Sequence, residues 1–132
     1  MNTKERNILW LDDDEVLKLI ADQILAPYND LISKYCYFSD GYQALAYLKD
    51  SDETNEFPDL LLIDLKMPEM DGIEFLNNYA SLYPKKYPTS QVYVLTSSAR
   101  SADIEKATSF DFVSDYIVKP LSGERLEDLL RK

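Results

Sequence analysis

Asp64 ends an apolar run, Asp59-Leu60-Leu61-Leu62-Ile63-Asp64-Leu65-Lys66-Met67-Pro68, that reads as a buried strand. A carboxylate is costly to bury without compensation, so one set against a hydrophobic core marks chemistry. The arrangement recurs where Ile8-Leu9-Trp10-Leu11 runs into Asp12-Asp13-Asp14. If these strands are neighbours in a parallel sheet, Asp12, Asp13 and Asp64 converge on one edge. Such a cluster calls for a cation, and a cation beside a free carboxylate is a place to handle phosphate. The chain has no histidine. That removes His-based acid–base catalysis and most zinc chemistry, and any phosphohistidine in the mechanism has to belong to a partner.

Elements must bring these residues together, and the hydrophobic pattern supplies them. Apolar runs end near Asp12, Phe38, Asp64, Thr96 and Val118. Between them lie stretches at helical spacing: Val16, Leu17, Ile20 and Ile24, then Ala44, Leu45 and Leu48, then Ile73, Leu76 and Tyr79, then Ile104 and Ala107. Leu126, Leu129 and Leu130 form a last one. Pro27 ends the first helix, Ser122 caps the last, and Pro84 and Pro88 mark a long loop before the fourth strand. Strands alternating with helices predict one α/β domain, a doubly wound parallel sheet covered on both faces. In such folds the functional crevice lies at the carboxyl ends of the strands, which turns strand ends into site residues.

Composition bounds the function. At 132 residues the chain is one ordinary domain, expected over residues 7–132 with a short extension at 1–6. A net charge of −10 argues against direct nucleic-acid binding, because phosphate backbones need clustered Lys and Arg. No apolar stretch approaches the roughly 20 residues of a membrane span, and nothing resembles a signal peptide. Cys36, among Tyr35, Tyr37 and Phe38, is expected to be an inert core residue, and a single cysteine fits a reducing, cytoplasmic address.

Strand one ends at Asp12-Asp13, strand three at Asp64, strand four at Thr96 and strand five at Lys119-Pro120. With Ile63-Asp64-Leu65-Lys66-Met67-Pro68-Glu69-Met70-Asp71-Gly72, Leu95-Thr96-Ser97-Ser98-Ala99 and Tyr116-Ile117-Val118-Lys119-Pro120 in this order, the chain resembles a response regulator receiver domain of two-component systems. The likeness spans roughly Ile8 to Leu130. It implies a flavodoxin-like (βα)5 fold with strand order 2-1-3-4-5. It implies that Asp64 takes a phosphoryl group from the phosphohistidine of a sensor histidine kinase or histidine phosphotransfer domain. Asp12, Asp13, Asp64 and the backbone carbonyl of Lys66 would hold Mg2+, a hard cation that binds through a few carboxylates, water and phosphate oxygens. Thr96 and Lys119 would contact the phosphoryl oxygens, with Ser97 small enough to leave access. Thr96 and Tyr116 would form a switch that remodels the surface of helix four, strand five and helix five for a downstream protein target. The expected role is a signalling switch, with catalysis confined to its own phosphorylation and dephosphorylation.

Each residue alone has a plainer reading. Asp12, Asp13 and Asp14 fit a charged helix N-terminus, and Asp14 and Glu15 are expected there or facing a partner. Thr96 fits a strand-end hydroxyl, Lys119 a solvated charge and Tyr116 a packed strand tyrosine. Lys66 either folds over the acyl phosphate and alters its lifetime or points to water. The joint occurrence favours the chemistry. Two positions depart from the resemblance: Phe112 and Val113 stand where receivers carry a small Gly-Ala pair, and Lys66 occupies a variable place. Asp12-Asp13-Asp14-Glu15-Val16 also satisfies Asp-x-Asp-x-Val, the nucleophile motif of haloacid-dehalogenase-type phosphatases, with Asp12 as nucleophile and Asp14 as acid–base. That reading leaves Asp64 idle and has only Glu124, Glu127 and Asp128, on a terminal helix, for its later acidic motif. A degenerate receiver serving as a binding module is disfavoured because every phosphorylation residue is present. The chain ends after helix five, so no effector domain is expected on it. A stand-alone regulator, a relay intermediate and a receiver excised from a larger protein all remain open. Donor docking is expected at Glu15, Lys18 and the Pro120-Leu121 loop.

Overall fold

In the computed structural model, which describes residues 5–67, 69–97 and 102–132, five parallel strands lie in the order β2-β1-β3-β4-β5. The strands are β1 (Arg6–Leu11), β2 (Ile32–Phe38), β3 (Leu60–Asp64), β4 (Gln91–Thr96) and β5 (Val113–Val118). The helices are α1 (Glu15–Leu25), α2 (Gly41–Thr54), α3 (Gly72–Ala80), α4 (Ala102–Thr108) and α5 (Gly123–Arg131). Pro68, Ser98 and Ala99 of the sequence motifs, and residues 1–4 of the expected extension, lie outside the described residues. The expected doubly wound α/β architecture and strand order are present.

Strand alternation splits the core into two layers. Leu9, Leu11, Leu61, Ile63, Val92 and Val94 face α2, α3 and α4, while Ile8, Trp10, Leu60, Leu62, Tyr93 and Leu95 face α1 and α5. The central strand β3 is buried along its whole length, which explains its unbroken apolar run. Helix starts are fixed by acids and a serine at the same edge of the sheet. Asp14 accepts from the Leu17 amide at 3.0 Å, Asp40 from Tyr42 at 2.7 Å, Asp71 from Glu74 at 2.9 Å and Ser122 from Arg125 at 3.1 Å. Asp14 is therefore the cap of α1, one of the roles expected for it.

Two expectations need correction. The buried face of α1 is Ala21 and Leu25, with Leu17 and Ile24 packed against it. Val16 and Ile20, assigned to the core stripe, are 67% and 39% exposed, and Leu19 beside them is 81% exposed. The small side chain of Ala21 carries little hydrophobic signal, so the helix is rotated from the face its bulkier residues mark. Cys36 is half-buried rather than core, because β2 is an edge strand with less cover. Pro27 does follow the end of α1, inside a 3-10 segment, Ala26–Leu31.

The pole opposite the strand ends explains Phe112. Its ring lies 5.1 Å from Tyr79 and 5.3 Å from Phe110. Tyr79 continues the cluster to Tyr83 and Phe57, and Phe57 stacks on Tyr87 at 3.8 Å. The bulk at 112 fills an aromatic layer there. Nearby, Arg6 is 3% exposed and binds Asp59 Oδ1 at 2.9 Å, Gln91 Oε1 at 2.6 Å and the Leu129 carbonyl at 2.9 Å. One guanidinium thus ties β1, β4 and α5 together.

Candidate phosphoryl-transfer site

The site follows from strand alternation carried past the strand ends. Trp10, Leu62 and Ile117 face the α1/α5 layer, and two residues beyond each stand Asp12, Asp64 and Lys119. In the β1–β3 register Leu11 pairs with Ile63, so one step further sets Asp12 opposite Asp64. One carboxylate oxygen each from Asp12, Asp13 and Asp64 comes within 4.8 Å of the others. Asp12 is fully buried and Asp64 is 3% exposed. Lys119 Nζ lies 2.9 Å from Asp12 Oδ2 and 3.3 Å from Asp64 Oδ2. Its backbone amide donates to the Thr96 carbonyl at 2.7 Å, fastening the β5 end to the β4 end. Thr96, 3% exposed, ends β4 beside Asp64's pairing partner Leu95. A cis peptide joins Lys119 to Pro120.

The electrostatics are those of a crowded anion. Burial, then the Asp12 charge, push the Asp64 carboxyl up to about 7, while Lys119 and the Lys66 amide pull it back. Burial works against the Lys119 ammonium, but Asp12 and Asp64 more than reverse it and hold its pKa above the ordinary value. Lys119 supplies one positive charge against three carboxylates, and a divalent cation would relieve the remaining repulsion. The donor set of oxygens alone fits Mg2+.

The structure brings together Asp12, Asp13, Asp64, Thr96 and Lys119. Lys66 contributes its amide, 3.3 Å from Asp64 Oδ1, but its ammonium reaches away to Asp103 at 3.6 Å. Tyr116 stands on β5, opposite Val94, with its side chain partly exposed. Sequence reasoning missed Gly72. A Cβ there would collide with the Asp64 carbonyl and sit 2.7 Å from the Leu65 Cα, so α3 packs directly on the backbone that carries Asp64. The Asp71-Gly72 pair at a helix start was the available signal. The haloacid-dehalogenase-type alternative, already disfavoured by the sequence, gains no support, since Asp14 caps α1 and Glu124 lies on the exposed start of α5.

A family model described as response regulator receiver domain matches residues 8–131. Transcriptional regulatory protein CpxR of Klebsiella pneumoniae is 31% identical over 94% of this chain, which spans 47% of that protein. Sensor histidine kinase CheAY of Helicobacter pylori is 27% identical over 99% of this chain, which spans only 16% of it. The crystal structure of a two-component response regulator from Cytophaga hutchinsonii superposes with a TM-score of 0.83 at 25% identity, covering 96% of this chain and 94% of that one. Among the described residues no helix is long and apolar enough to cross a membrane. Motif order, strand order, the carboxylate–lysine cluster and these likenesses agree: the chain belongs to the response regulator receiver domain family, whose members are phosphorylation-controlled signalling switches.

Proposed function

We propose that Asp64 is the phosphoryl acceptor and that the receiver, residues 7–132 with Arg6 built into its first strand, works in a histidine–aspartate relay. The observation that carries this reading is the convergence of Asp12, Asp13 and Asp64 within 4.8 Å, with Lys119 Nζ 3.3 Å from the Asp64 carboxylate. An Asp64 oxygen attacks the phosphorus of a partner's phosphohistidine, and an acyl phosphate O–P bond forms as the P–N bond breaks. The electron pair returns to the imidazole, which takes up a proton. Asp12, Asp13, Asp64 and the Lys66 carbonyl would hold Mg2+, which when bound would neutralise charge on the transferred group. Lys119 pairs with one phosphoryl oxygen as a point charge, and the Thr96 hydroxyl donates to another. Hydrolysis of the acyl phosphate resets the switch.

The partner is a sensor histidine kinase or histidine phosphotransfer domain. It docks over the start of α1, where Glu15 and Lys18 stand with the exposed Val16, Leu19 and Ile20, and over the Pro120-Leu121 loop. The output is a change in the α4–β5–α5 surface read by a protein target rather than by nucleic acid or membrane. Thr96 drawn toward the phosphoryl group lets the partly exposed Tyr116 ring move inward. The compartment is the cytoplasm. The test is incubation with acetyl phosphate or phosphoramidate, with Mg2+ or EDTA, read by intact mass against Asp64→Asn. A Mg2+-dependent gain of one phosphoryl group, lost in the variant, is expected. No gain in the presence of bound Mg2+ would refute the assignment.

A further inference from the structure

The acidic turn between β1 and α1 is bracketed by β2 on both sides of Asp13. Before it, the Asp12 amide donates to the Phe38 carbonyl at 2.9 Å. After it, the Tyr37 hydroxyl donates to the Asp14 carbonyl at 3.1 Å. Inside the bracket, Asp12 Oδ1 accepts the Asp14 amide at 3.0 Å, and Asp12 Oδ2 faces Lys119. The Asp13 carboxylate makes no hydrogen bond among the described residues, so its position is set by its backbone alone. Tyr37 is itself steadied by the fully buried Trp10, with ring centroids 5.5 Å apart.

We infer that Tyr37 is a positioning residue for the metal site: its hydroxyl pins the turn that presents Asp13. This rests on the reading of Asp12, Asp13 and Asp64 as the metal-holding set. Lys119 offsets only part of the repulsion among the three carboxylates, and without a metal ion the remainder pushes the turn outward. The Phe38 carbonyl restrains only the Asp12 side of that movement. On the Asp14 side the same carbonyl that Tyr37 binds accepts the Lys18 amide at 3.0 Å in the first turn of α1. The Tyr37 hydroxyl ties that helix start to β2, so the site is held ready before the metal ion arrives, as partners behind metal ligands commonly do. Burial first, and then the charges of the acidic cluster, raise the Tyr37 phenol above its ordinary value, which favours the protonated donor.

The experiment titrates the protein with Mn2+, reading free ion by electron paramagnetic resonance, and then displaces Mn2+ with Mg2+. Tyr37→Phe keeps the ring and removes only the donor. It is expected to weaken both ions by roughly 3- to 10-fold, while the metal-free melting temperature stays within about 3 °C of the parent. Affinity equal to the parent's overturns the inference, and a lowered melting temperature with unchanged affinity does the same by assigning Tyr37 to folding alone. Asp13→Asn runs alongside and should abolish most binding. If it binds as the parent does, the metal-site reading itself fails and takes the inference with it, an outcome distinct from failure of Tyr37→Phe alone.

Discussion

Replacing Asp64 with asparagine should make the metal-free protein more stable, although it removes the proposed phosphoryl acceptor. Asp64 has a carboxyl pushed from 3.8 to about 7, first by burial and then by Asp12. A group that holds its proton more tightly when folded contributes stability that is complete below the unfolded value of 3.8. That contribution is lost as pH rises through the folded value of about 7. At about 1.4 kcal/mol per tenfold, the displacement is worth about 4 kcal/mol before screening. Asp13 is only half-buried, so water reaches one side of the cluster and lowers the figure to about 2 kcal/mol. Lys119 loses one of its two carboxylate partners in the variant, an offset of about 0.5–1 kcal/mol. The net expectation is a gain of about 1 kcal/mol, or roughly 3–5 °C in melting temperature, at about pH 8 in EDTA. Near pH 5 the wild-type carboxyl is already protonated and the gain should shrink toward zero. Added Mg2+ should raise the parent and leave the variant nearly unmoved. Thermal unfolding followed by circular dichroism at both pH values reads all of this. An Asp64→Asn protein that melts at or below the parent in EDTA at about pH 8 would refute the claim that Asp64 is held against its own charge.

Three further outcomes follow from other positions. Gly72→Ala puts a Cβ 2.7 Å from the Leu65 Cα, so urea unfolding should show a loss of about 1–3 kcal/mol and acetyl phosphate should label Asp64 more slowly. Lys66→Ala releases the 3.6 Å ion pair with Asp103, and the hydrolysis rate of the acyl phosphate should change while unfolding stability moves by less than about 0.5 kcal/mol; an unchanged hydrolysis rate ends the idea that Lys66 tunes the lifetime. Arg6→Ala strips a buried guanidinium from Asp59, Gln91 and the Leu129 carbonyl and should cost about 3–5 kcal/mol by urea unfolding, with Mn2+ affinity unchanged because the site lies at the other pole.

Much of the candidate site was legible because burying charge is expensive. Asp12, Asp64 and Lys119 each stand two residues past a core side chain, and that placement is visible in the linear sequence once the strands are recognised. The strand order followed from the resemblance rather than from hydrophobic pattern, which is alike in all parallel strands. What stayed hidden depends on distant partners. Phe112 looked like an anomaly because the rings that accept it, Tyr79 and Phe110, are known as its neighbours only after folding. Arg6 lay in the expected N-terminal extension, yet it starts β1 and is buried by partners more than 50 positions away. The face of α1 was misjudged because an alanine, not a leucine, marks its buried centre. The Tyr37 hydroxyl bonds to a backbone carbonyl, an acceptor every residue has, so no sequence signal points to it.

Trp10 is the only tryptophan of the chain, fully buried two residues before Asp12, and its indole N–H has no hydrogen-bond partner among the described residues. An indole without a polar partner emits at the blue end of its range, and any rearrangement of the acidic turn above it changes the field it senses. The molecule therefore carries its own optical probe under the proposed phosphorylation site. Selective excitation of this ring should report cation loading, phosphoryl transfer and hydrolysis in real time, with no label attached.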